Sequence, residues 1–312
     1  MKIKFEHYPV MIAETIKYLE VERNPDGIYA DLTCGGGSHS EEIAKRLTGG
    51  KLISIDRDAD AIDFSREKLK KYHDKIYFVK DNYVNIKEIA GNLGFEKLNG
   101  AVVDLGISTY QIEADRGFSY IRDSKLDMRM DRDQKLTAYE AVNNLDKNKL
   151  REILYNYGEE RHTELIVSRI IKKRQEKPIE TTLELADIIK YAVKGVRYAG
   201  GHPAKRTFQA IRIYVNGEIE NIEPALDAVE SMLESKSRLV AISFHSGEDK
   251  IVKRCFAKYE KNCVCPPDMP VCGCNKRATS RILTKKPVYP GKEELEENPP
   301  SESARLRAVE KL

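Results

Sequence analysis

The residues best suited to chemistry lie in two short segments near the N-terminus. The first, YADLTCGGGSHS at 29–40, runs from an apolar stretch into three glycines at 35–37. The second, ISIDRDAD at 53–60, places Asp56 at the end of another apolar stretch. Glycines let the backbone turn tightly and approach a ligand closely, and an acid at the following strand end can accept both ribose hydroxyls. Together the segments indicate a site for a nucleoside-containing cofactor.

The residues after the glycines favour one kind of cofactor. Ser38, His39 and Ser40 follow the glycines, so the G-x-G-x-x-G fingerprint of dinucleotide-binding folds is not met. Without a cradle for a pyrophosphate, a nicotinamide-dependent oxidoreductase is disfavoured. S-adenosylmethionine, which has an adenosine and an amino-acid tail but no phosphate, fits a glycine loop followed by a ribose-binding acid. The alternative is a loop that needs glycine for its geometry alone.

Two later segments add polar side chains at predicted strand ends. Tyr83 follows Lys80-Asp81-Asn82, where its ring would either stack on an adenine or cover the edge of the core. Asp104 opens the segment DLGISTYQ at 104–111. Ligands of open α/β sheets bind outside the carboxyl ends of the strands. Asp104 is therefore a candidate site residue, with a turn-forming role as the alternative.

The elements that must position these residues alternate along the first hundred positions. Short apolar runs ending in polar residues predict strands, and helical spacing of apolar residues predicts helices between them. Strands joined by such helices form a parallel sheet with right-handed crossovers. The predicted strands are 28–33, 51–56, 76–81 and 101–105, and the predicted helices are 38–47, 58–72 and 84–93.

The pattern changes in the middle of the chain. From about 113 to 213 no convincing strand is found, and a helix at 218–234 then leads into another buried strand at 238–245. These patterns predict an α/β, Rossmann-like sheet interrupted by an all-helical insertion. The predicted domains are a first part of the sheet domain at 1–112, the insertion at 113–213, and a second part at 214–312.

Composition and charge limit the class of protein. Of the 312 residues, 41% are hydrophobic and 33% are charged, which is typical of an ordinary folded protein. No apolar run is long enough to cross a membrane, and charged residues interrupt the N-terminus, so no signal peptide is expected. These features predict a cytoplasmic protein. The net charge is only +3, but residues 169–212 hold eleven Lys or Arg against four acids. Such a segment either binds a phosphate backbone or is a solvated helix face.

A cysteine-rich segment at 263–274, CVCPPDMPVCGC, holds four of the six cysteines of the chain. Four thiolates can bind zinc in a tetrahedron, although C-x-C spacing is less common than C-x2-4-C. Disulfides are the alternative, and they are disfavoured in a cytoplasmic protein. A zinc ion here would be structural. The predicted ligands are Cys263, Cys265, Cys272 and Cys274.

Ten motifs in order along the chain resemble one family. The sequence is similar to the bacterial ribosomal RNA small-subunit methyltransferase H family, over nearly its whole length. The resemblance implies a class I methyltransferase sheet and S-adenosylmethionine-dependent methylation of N4 of a cytidine in the decoding region of 16S ribosomal RNA. It implies an RNA partner, within the assembled small subunit, and no DNA or membrane. The motifs are HYPVM (7–11), DLTCGGGSHS (31–40), IDRD (55–58), DLGIS (104–108), RGFSY (116–120), LDMRMD (126–131), YGEER (157–161), HPAKRTFQAIRIYVN (202–216), ISFHSGEDKIVK (242–253) and SARLRAVEK (303–311).

The resemblance also assigns roles to individual positions. Ser38 departs from the family, which usually has glycine there, and Tyr83 stands where phenylalanine is usual. The chain also has Thr109-Tyr110 where the family has Ser-Pro. The positions that match the family's cofactor contacts are Gly37, Ser38, His39, Asp56, Tyr83, Asp104 and Gln111.

The implied chemistry requires a group that accepts a proton from the target amine. Cytosine N4 is a poor nucleophile, and an acceptor hydrogen-bonded to it would concentrate electron density on nitrogen. Asp104 is the candidate, assisted by Ser108, although Asp104 could instead only hold the cofactor. The rival functions are a DNA amino-methyltransferase, disfavoured by the lack of a Pro-Pro motif, and a non-catalytic RNA-binding assembly factor. The insertion would grip RNA through Arg116, Arg129, Lys205, Arg206, Arg212 and Tyr214.

Overall fold

The computed structural model describes residues 9–108, 111–112, 114–195, 201–263, 265 and 273–312. Contacts between residues divide the chain into two units. The helical unit is Ile107–Glu218, and the sheet unit combines residues 9–106 with Ile219–Leu312. Among the described residues, no helix is both long enough and apolar enough to span a bilayer.

The sheet unit is built on seven strands in the order β3-β2-β1-β4-β5-β7-β6. Neighbouring strands from β3 to β5 are parallel, whereas β7 runs antiparallel to both β5 and β6. The parallel part confirms the predicted Rossmann-like sheet. The strands are β1 (Ile28–Asp31), β2 (Lys51–Asp56), β3 (Ile76–Lys80), β4 (Leu98–Asp104), β5 (Leu233–Ser243), β6 (Ser280–Ile282) and β7 (Arg305–Lys311).

Helices connect these strands and make up the helical unit. In the sheet portion of the chain they are α1 (Ile12–Leu19), α2 (Ser38–Arg46), α3 (Ala59–Lys68) and α4 (Ile86–Asn92), and later α10 (Glu218–Met232), α11 (Ser246–Glu260) and α12 (Lys292–Glu297). The helices of the helical unit are α5 (Ala138–Asn144), α6 (Lys147–Gly158), α7 (Thr163–Glu176), α8 (Thr182–Ala192) and α9 (Lys205–Asn216).

The central strands are buried on both faces. Ile53 and Val103 belong to one hydrophobic cluster, whereas Leu52 and Val102 belong to a second. Successive side chains of a strand point to opposite faces, so the two clusters are the cores above and below the sheet. Burial on both faces explains why these strands read as continuous apolar runs in the sequence.

The antiparallel end of the sheet contains charged residues, so the apolar patterns of the sequence did not predict it. Strand β7 carries Arg307 and Glu310, which are only 7% and 6% exposed. Arg307 Nε donates to Asp249 at 2.6 Å, and Arg238 Nε donates to Glu310 at 3.0 Å. Pairing lets these charges be buried. Their charge interrupts the apolar pattern by which the other strands were predicted.

The helical unit has its own hydrophobic core. Helix caps and side-chain hydrogen bonds fix its helices in place. Thr137 and Thr181 each form a capping box with a glutamate three residues later, which fixes the starts of α5 and α8. The buried Asn216 side chain accepts from Met130 N and donates to Met128 O, both at 2.8 Å. These bonds attach the end of α9 to the irregular segment that precedes α5.

Glycine at position 100 is required by packing in the middle of β4. A Cβ there would lie 2.8 Å from Cε1 of Tyr29, a ring that is 1% exposed and whose hydroxyl donates to Asn24 O at 3.1 Å. We expect Gly100→Ala to lower the free energy of unfolding by about 1–3 kcal/mol because the ring cannot move aside. Denaturant titration of the purified protein measures this change.

Gly91 provides the matched control for that substitution. It lies inside α4, and nothing stands within 4 Å of a Cβ built there. Gly91→Ala should therefore raise the free energy of unfolding, by up to about 1 kcal/mol, because alanine favours the helix. Equal effects of the two substitutions would contradict the packing described for β4.

Candidate active site

The glycine loop between β1 and α2 is held against β2 and α3. Gly35 and Gly37 have φ angles of 50° and 74°, which favour glycine. Ser65 Oγ donates to Gly35 O at 2.9 Å, and Lys68 Nζ donates to Gly36 O at 2.8 Å. A Cβ on Gly37 would lie 2.9 Å from Ser65 Oγ. Both the backbone conformation and the close approach of α3 therefore select glycine.

Asp56, at the end of β2, binds the glycine loop directly. Its Oδ2 accepts from Gly35 N at 2.8 Å, and its Oδ1 accepts from Asp58 N at 2.9 Å. Burial raises the pKa of Asp56 to about 6. Each carboxylate oxygen can accept a second hydrogen bond. The predicted contact of Asp56 with a ribose stays a prediction, and the structure adds a role in shaping the loop.

Asp31, whose place in the strand before the glycine loop supports the predicted cofactor site, is fully buried. Its Oδ1 accepts from Thr33 N at 3.2 Å, and its Oδ2 accepts from Ser40 Oγ at 2.6 Å. Ser40 Oγ lies 2.8 Å from Ser54 Oγ, so the network joins β1, α2 and β2. Burial raises the pKa of Asp31 to about 6.

Asp104 and His39 face each other at the carboxyl edge of the sheet. Asp104 Oδ2 lies 4.0 Å from His39 Nδ1; the side chain of His39 is 7% exposed and that of Asp104 is 15% exposed. Burial, followed by the charges of Asp31, Glu248 and Glu294, raises the pKa of Asp104 well above its ordinary value. Burial lowers the pKa of His39 to about 4. At neutral pH the histidine is uncharged, so the two side chains do not form an ion pair.

Two buried polar atoms of this pair have no hydrogen-bond partner among the described residues. They are Asp104 Oδ1 and His39 Nε2. Leaving such an atom buried without a partner costs about 1–3 kcal/mol. Asp104 N donates to Thr33 Oγ1 at 2.7 Å, which fixes the backbone beneath the carboxyl. The arrangement fits a ligand that supplies the missing partners.

Two glutamates from distant parts of the chain raise the negative charge near Asp104. Glu248 is 1% exposed, and its Oε2 accepts from Phe244 N at 2.8 Å. Glu294 Oε1 accepts from Met11 N at 2.8 Å. Carboxylates collected in a poorly solvated place favour a positively charged ligand. The sequence offered Glu248 only within a motif and gave no signal for Glu294.

The segment after β3 is closed by its own hydrogen bonds. Asp81 Oδ1 accepts from Asn82 N at 2.6 Å and from Asn85 Nδ2 at 2.8 Å. Tyr83 begins the following turn of 3-10 helix and packs against the core of the sheet unit. This packing agrees with the second of its two sequence-based interpretations. Stacking of Tyr83 on an adenine stays a prediction.

Ser108 and Gln111 belong to the helical unit. Gln111 N donates to Ser108 Oγ at 3.3 Å, and Ser108 N donates to Gln111 Oε1 at 3.2 Å. These two bonds close a small turn in which Gln111 is 6% exposed. Thr109 and Tyr110, where the chain departs from the family, lie outside the described residues. The predicted roles of Ser108 and Gln111 stay predictions.

Three of the predicted RNA-binding arginines have partners within the helical unit. Arg116 is 4% exposed and donates to two backbone carbonyl oxygens at 3.0 and 2.7 Å. Arg129 Nε donates to Asp127 at 2.7 Å, and Arg212 Nη2 donates to Glu218 at 2.8 Å. The burial of Arg116 argues for a structural role there. Direct phosphate contacts by Arg129 and Arg212 would have to compete with these carboxylates.

The other three predicted RNA-binding residues lie on α9. Lys205 is exposed at the start of the helix, and Arg206 Nη1 donates to Glu159 O at 2.8 Å. Tyr214 packs against the core of the helical unit, with Lys149 Nζ 5.9 Å from its ring centroid. Of the three, Lys205 is the one whose side chain is most exposed for a phosphate contact.

Fold and site together define the class of this protein. A sheet in the order 3-2-1-4-5-7-6 with an antiparallel seventh strand, and a glycine loop after the first strand, is that of a class I methyltransferase, as predicted. The model of the MraW methylase family matches residues 4–312. The chain belongs to this family, which confirms the resemblance found in the sequence.

Individual relatives are similar over their full length. A protein of Lachnospira eligens is 47% identical over 313 residues, covering 99% of both chains. A protein of Clostridium botulinum strain Kyoto is 48% identical, covering 99% of this chain and all of the relative. Both are named ribosomal RNA small subunit methyltransferase H. A solved putative methyltransferase of Streptococcus mutans is 12% identical, with a TM-score of 0.46, covering 98% of this chain and 99% of the other.

The raised pKa of Asp31 predicts a pH-dependent contribution to stability. Its folded-state value of about 6 exceeds the ordinary 3.8, so the folded state binds the proton more tightly than the unfolded chain. The wild type should therefore lose stability relative to Asp31→Asn as pH rises between these two values. The loss should be on the order of 1–3 kcal/mol. Chemical denaturation at several pH values measures it, and a difference independent of pH would contradict this environment for Asp31.

Proposed function

We propose that this protein transfers a methyl group from S-adenosylmethionine to N4 of a cytidine in the decoding region of 16S ribosomal RNA. The observation that supports this most directly is the pair of Asp104 and His39 beside the glycine loop, which has a buried oxygen and a buried nitrogen without hydrogen-bond partners among the described residues. Membership of the MraW methylase family and the names of its relatives support methylation of small-subunit ribosomal RNA. The finer target, the cytidine N4, comes from the sequence resemblance.

The residues of the sheet unit fit this cofactor. The glycine loop offers close backbone approach, and Asp56 retains acceptor capacity for a ribose. The charges of Asp31, Glu248 and Glu294 act on Asp104, and a cationic sulfonium would offset them. When bound, S-adenosylmethionine supplies a methyl group on positively charged sulfur. The residues of the sheet unit proposed to hold it are Gly37, Ser38, His39, Asp56, Tyr83 and Asp104, and the sequence resemblance adds Gln111.

Asp104 is proposed to accept the proton that the target amine must lose. Without a cation nearby, its raised pKa favours the protonated carboxyl. A positive charge bound beside it favours the carboxylate, which then accepts a hydrogen bond from the amine and takes its proton. His39 stays neutral at physiological pH because burial lowers its pKa. It therefore adds no positive charge that would repel the sulfonium.

The helical unit is proposed to bind the ribosomal RNA, within the assembled small subunit. Its lysines at 172, 177, 190, 194 and 205 are exposed, and Tyr191, which is 62% exposed, stands between Lys190 and Lys194 in the sequence, at the end of α8. Lysines neutralise phosphates, and an exposed aromatic ring can stack on an unpaired base. The contribution of Arg129, Arg206, Arg212 and Tyr214 is proposed from their residue types and their place in the insertion.

The reaction can be tested with small-subunit particles from cells that lack this activity. The wild-type protein with labelled S-adenosylmethionine should give N4-methylcytidine at one site of the decoding region, identified by nuclease digestion and mass spectrometry. Protein-free 16S RNA and duplex DNA serve as comparison substrates. Methylation of DNA in place of particles would favour an amino-methyltransferase of DNA, and cofactor binding without methylation of either would favour an assembly factor.

The charge of Asp104 predicts different binding of two cofactor forms. S-adenosylhomocysteine has a neutral sulfur, so only S-adenosylmethionine should gain affinity as pH rises through the raised pKa of Asp104. In Asp104→Asn the affinity for S-adenosylmethionine should fall at neutral pH, with little change for S-adenosylhomocysteine. Calorimetric titration of both ligands at several pH values measures this difference.

Glu88→Gln is the control for removal of one negative charge, because Glu88 is exposed on α4. This variant should bind both ligands as the wild type does. An equal loss of affinity for both ligands in Asp104→Asn would assign Asp104 a structural role and contradict the proposed proton transfer.

A further inference from the structure

Three cysteines of the segment between α11 and β6 bring their sulfur atoms together. The Sγ atoms of Cys263, Cys265 and Cys274 all lie within 4.8 Å of one another, and those of Cys263 and Cys274 are 3.8 Å apart. A disulfide bond is only about 2.0 Å long. Two thiolates bound to one tetrahedral zinc, each about 2.3 Å from the metal, are about 3.8 Å apart. The separation therefore matches shared metal coordination and excludes a bond between these two sulfurs.

The backbone around the cluster also suits thiolate ligands. Cys265 N donates to Cys263 Sγ at 3.4 Å. A hydrogen bond from the peptide to a ligand sulfur orients the thiolate and offsets part of its charge. Sulfur donors also select the metal, because soft thiolates favour zinc, copper(I) or iron over magnesium and calcium.

Both ends of the cysteine-containing segment are anchored to the sheet unit. Lys276 Nζ donates to the carbonyl oxygens of Lys258 and Lys261, at 2.7 and 2.9 Å, at the end of α11. Ala278 N donates to Asn262 Oδ1 at 2.9 Å. These bonds hold the chain on each side of the cluster in place. A metal would therefore meet a partly organised set of ligands and lose less free energy to ordering the chain.

We propose that Cys263, Cys265 and Cys274 bind one zinc ion that fixes this segment beside β6. Tetrahedral zinc takes a fourth ligand, and Cys272 is the sequence-based choice, since it stands two residues before Cys274 as Cys263 stands before Cys265. Cys272 lies outside the described residues. Each coordinating thiol releases its proton, and no electron is transferred. With Cys272 as the fourth ligand no position would be left open for substrate, so the proposed role of the zinc is structural.

The test uses the full-length protein, purified with reductant and then freed of it. Zinc content should be one ion per chain, and cobalt(II) should give the thiolate charge-transfer and visible bands of a tetrahedral sulfur site. Cys263→Ser and Cys274→Ser should bind zinc at least about 100-fold more weakly, because even loss of an outer-sphere partner weakens metal sites by about 10–100-fold. Cys255→Ala is the control, because it removes a buried thiol of α11 outside the cluster; this variant should keep the zinc.

A second measurement does not depend on affinity. Chelation should speed tryptic cleavage between 261 and 277 more in the wild type than in Cys263→Ser, whose metal site is already weakened. The proposal is overturned if the wild type binds zinc no more tightly than Cys263→Ser. It is equally overturned if Cys255→Ala loses the metal too, or if chelation leaves the rate of cleavage unchanged.

Discussion

The hydrogen bond from Gly35 N to Asp56 holds together the part of the sheet on which the candidate site depends. It joins the loop after β1 to the end of β2, and two side chains of α3 fasten the same loop from the other side. A residue with a side chain at position 37 would meet α3. The sequence, the backbone conformation and the packing therefore all require glycine at this turn. Such agreement is typical of a position whose residue type the fold determines.

The acids of this edge illustrate a conflict between stability and binding. Asp31 and Asp104 are buried where their charged forms are unfavourable, and no neighbouring arginine or lysine neutralises them in the described network. Folding alone would be served better by apolar or amide side chains. The free-energy cost of burying these acids is offset when a cation binds there, because the cation stabilises their charged forms. Ligand affinity and instability of the empty site have a common origin.

Sequence patterns predicted the parallel half of the fold well, because its strands are buried on both faces and uniformly apolar. They placed the start of β5 at 238, whereas it begins at Leu233, where polar residues hide the strand. Strand β6 has only three residues and was not assigned as a strand. Strand β7 was not assigned because Arg307 and Glu310 interrupt its apolar pattern, and the partners that allow these charges to be buried come from other elements. At the candidate site, motifs indicated Asp31, Asp56, Asp104 and His39, whose roles stay predictions. The hydrogen bonds of Asp31 and the position of Glu294 depend on contacts across the fold, which no local pattern contains.

The pairing of β4 with β5 has a consequence for synthesis of the chain. Asp104 is aligned with Ile242, and the entire helical unit is encoded between them. A ribosome adds roughly 5–20 residues per second, so β4 leaves it seconds before its neighbour exists. During that interval the helical unit can fold, because all residues of its core lie within it. The sheet, in contrast, has an open edge at β4. An open edge of apolar β-strand invites pairing with other chains. The inserted unit thus imposes a delay during which the nascent sheet is exposed to aggregation and to capture by chaperones.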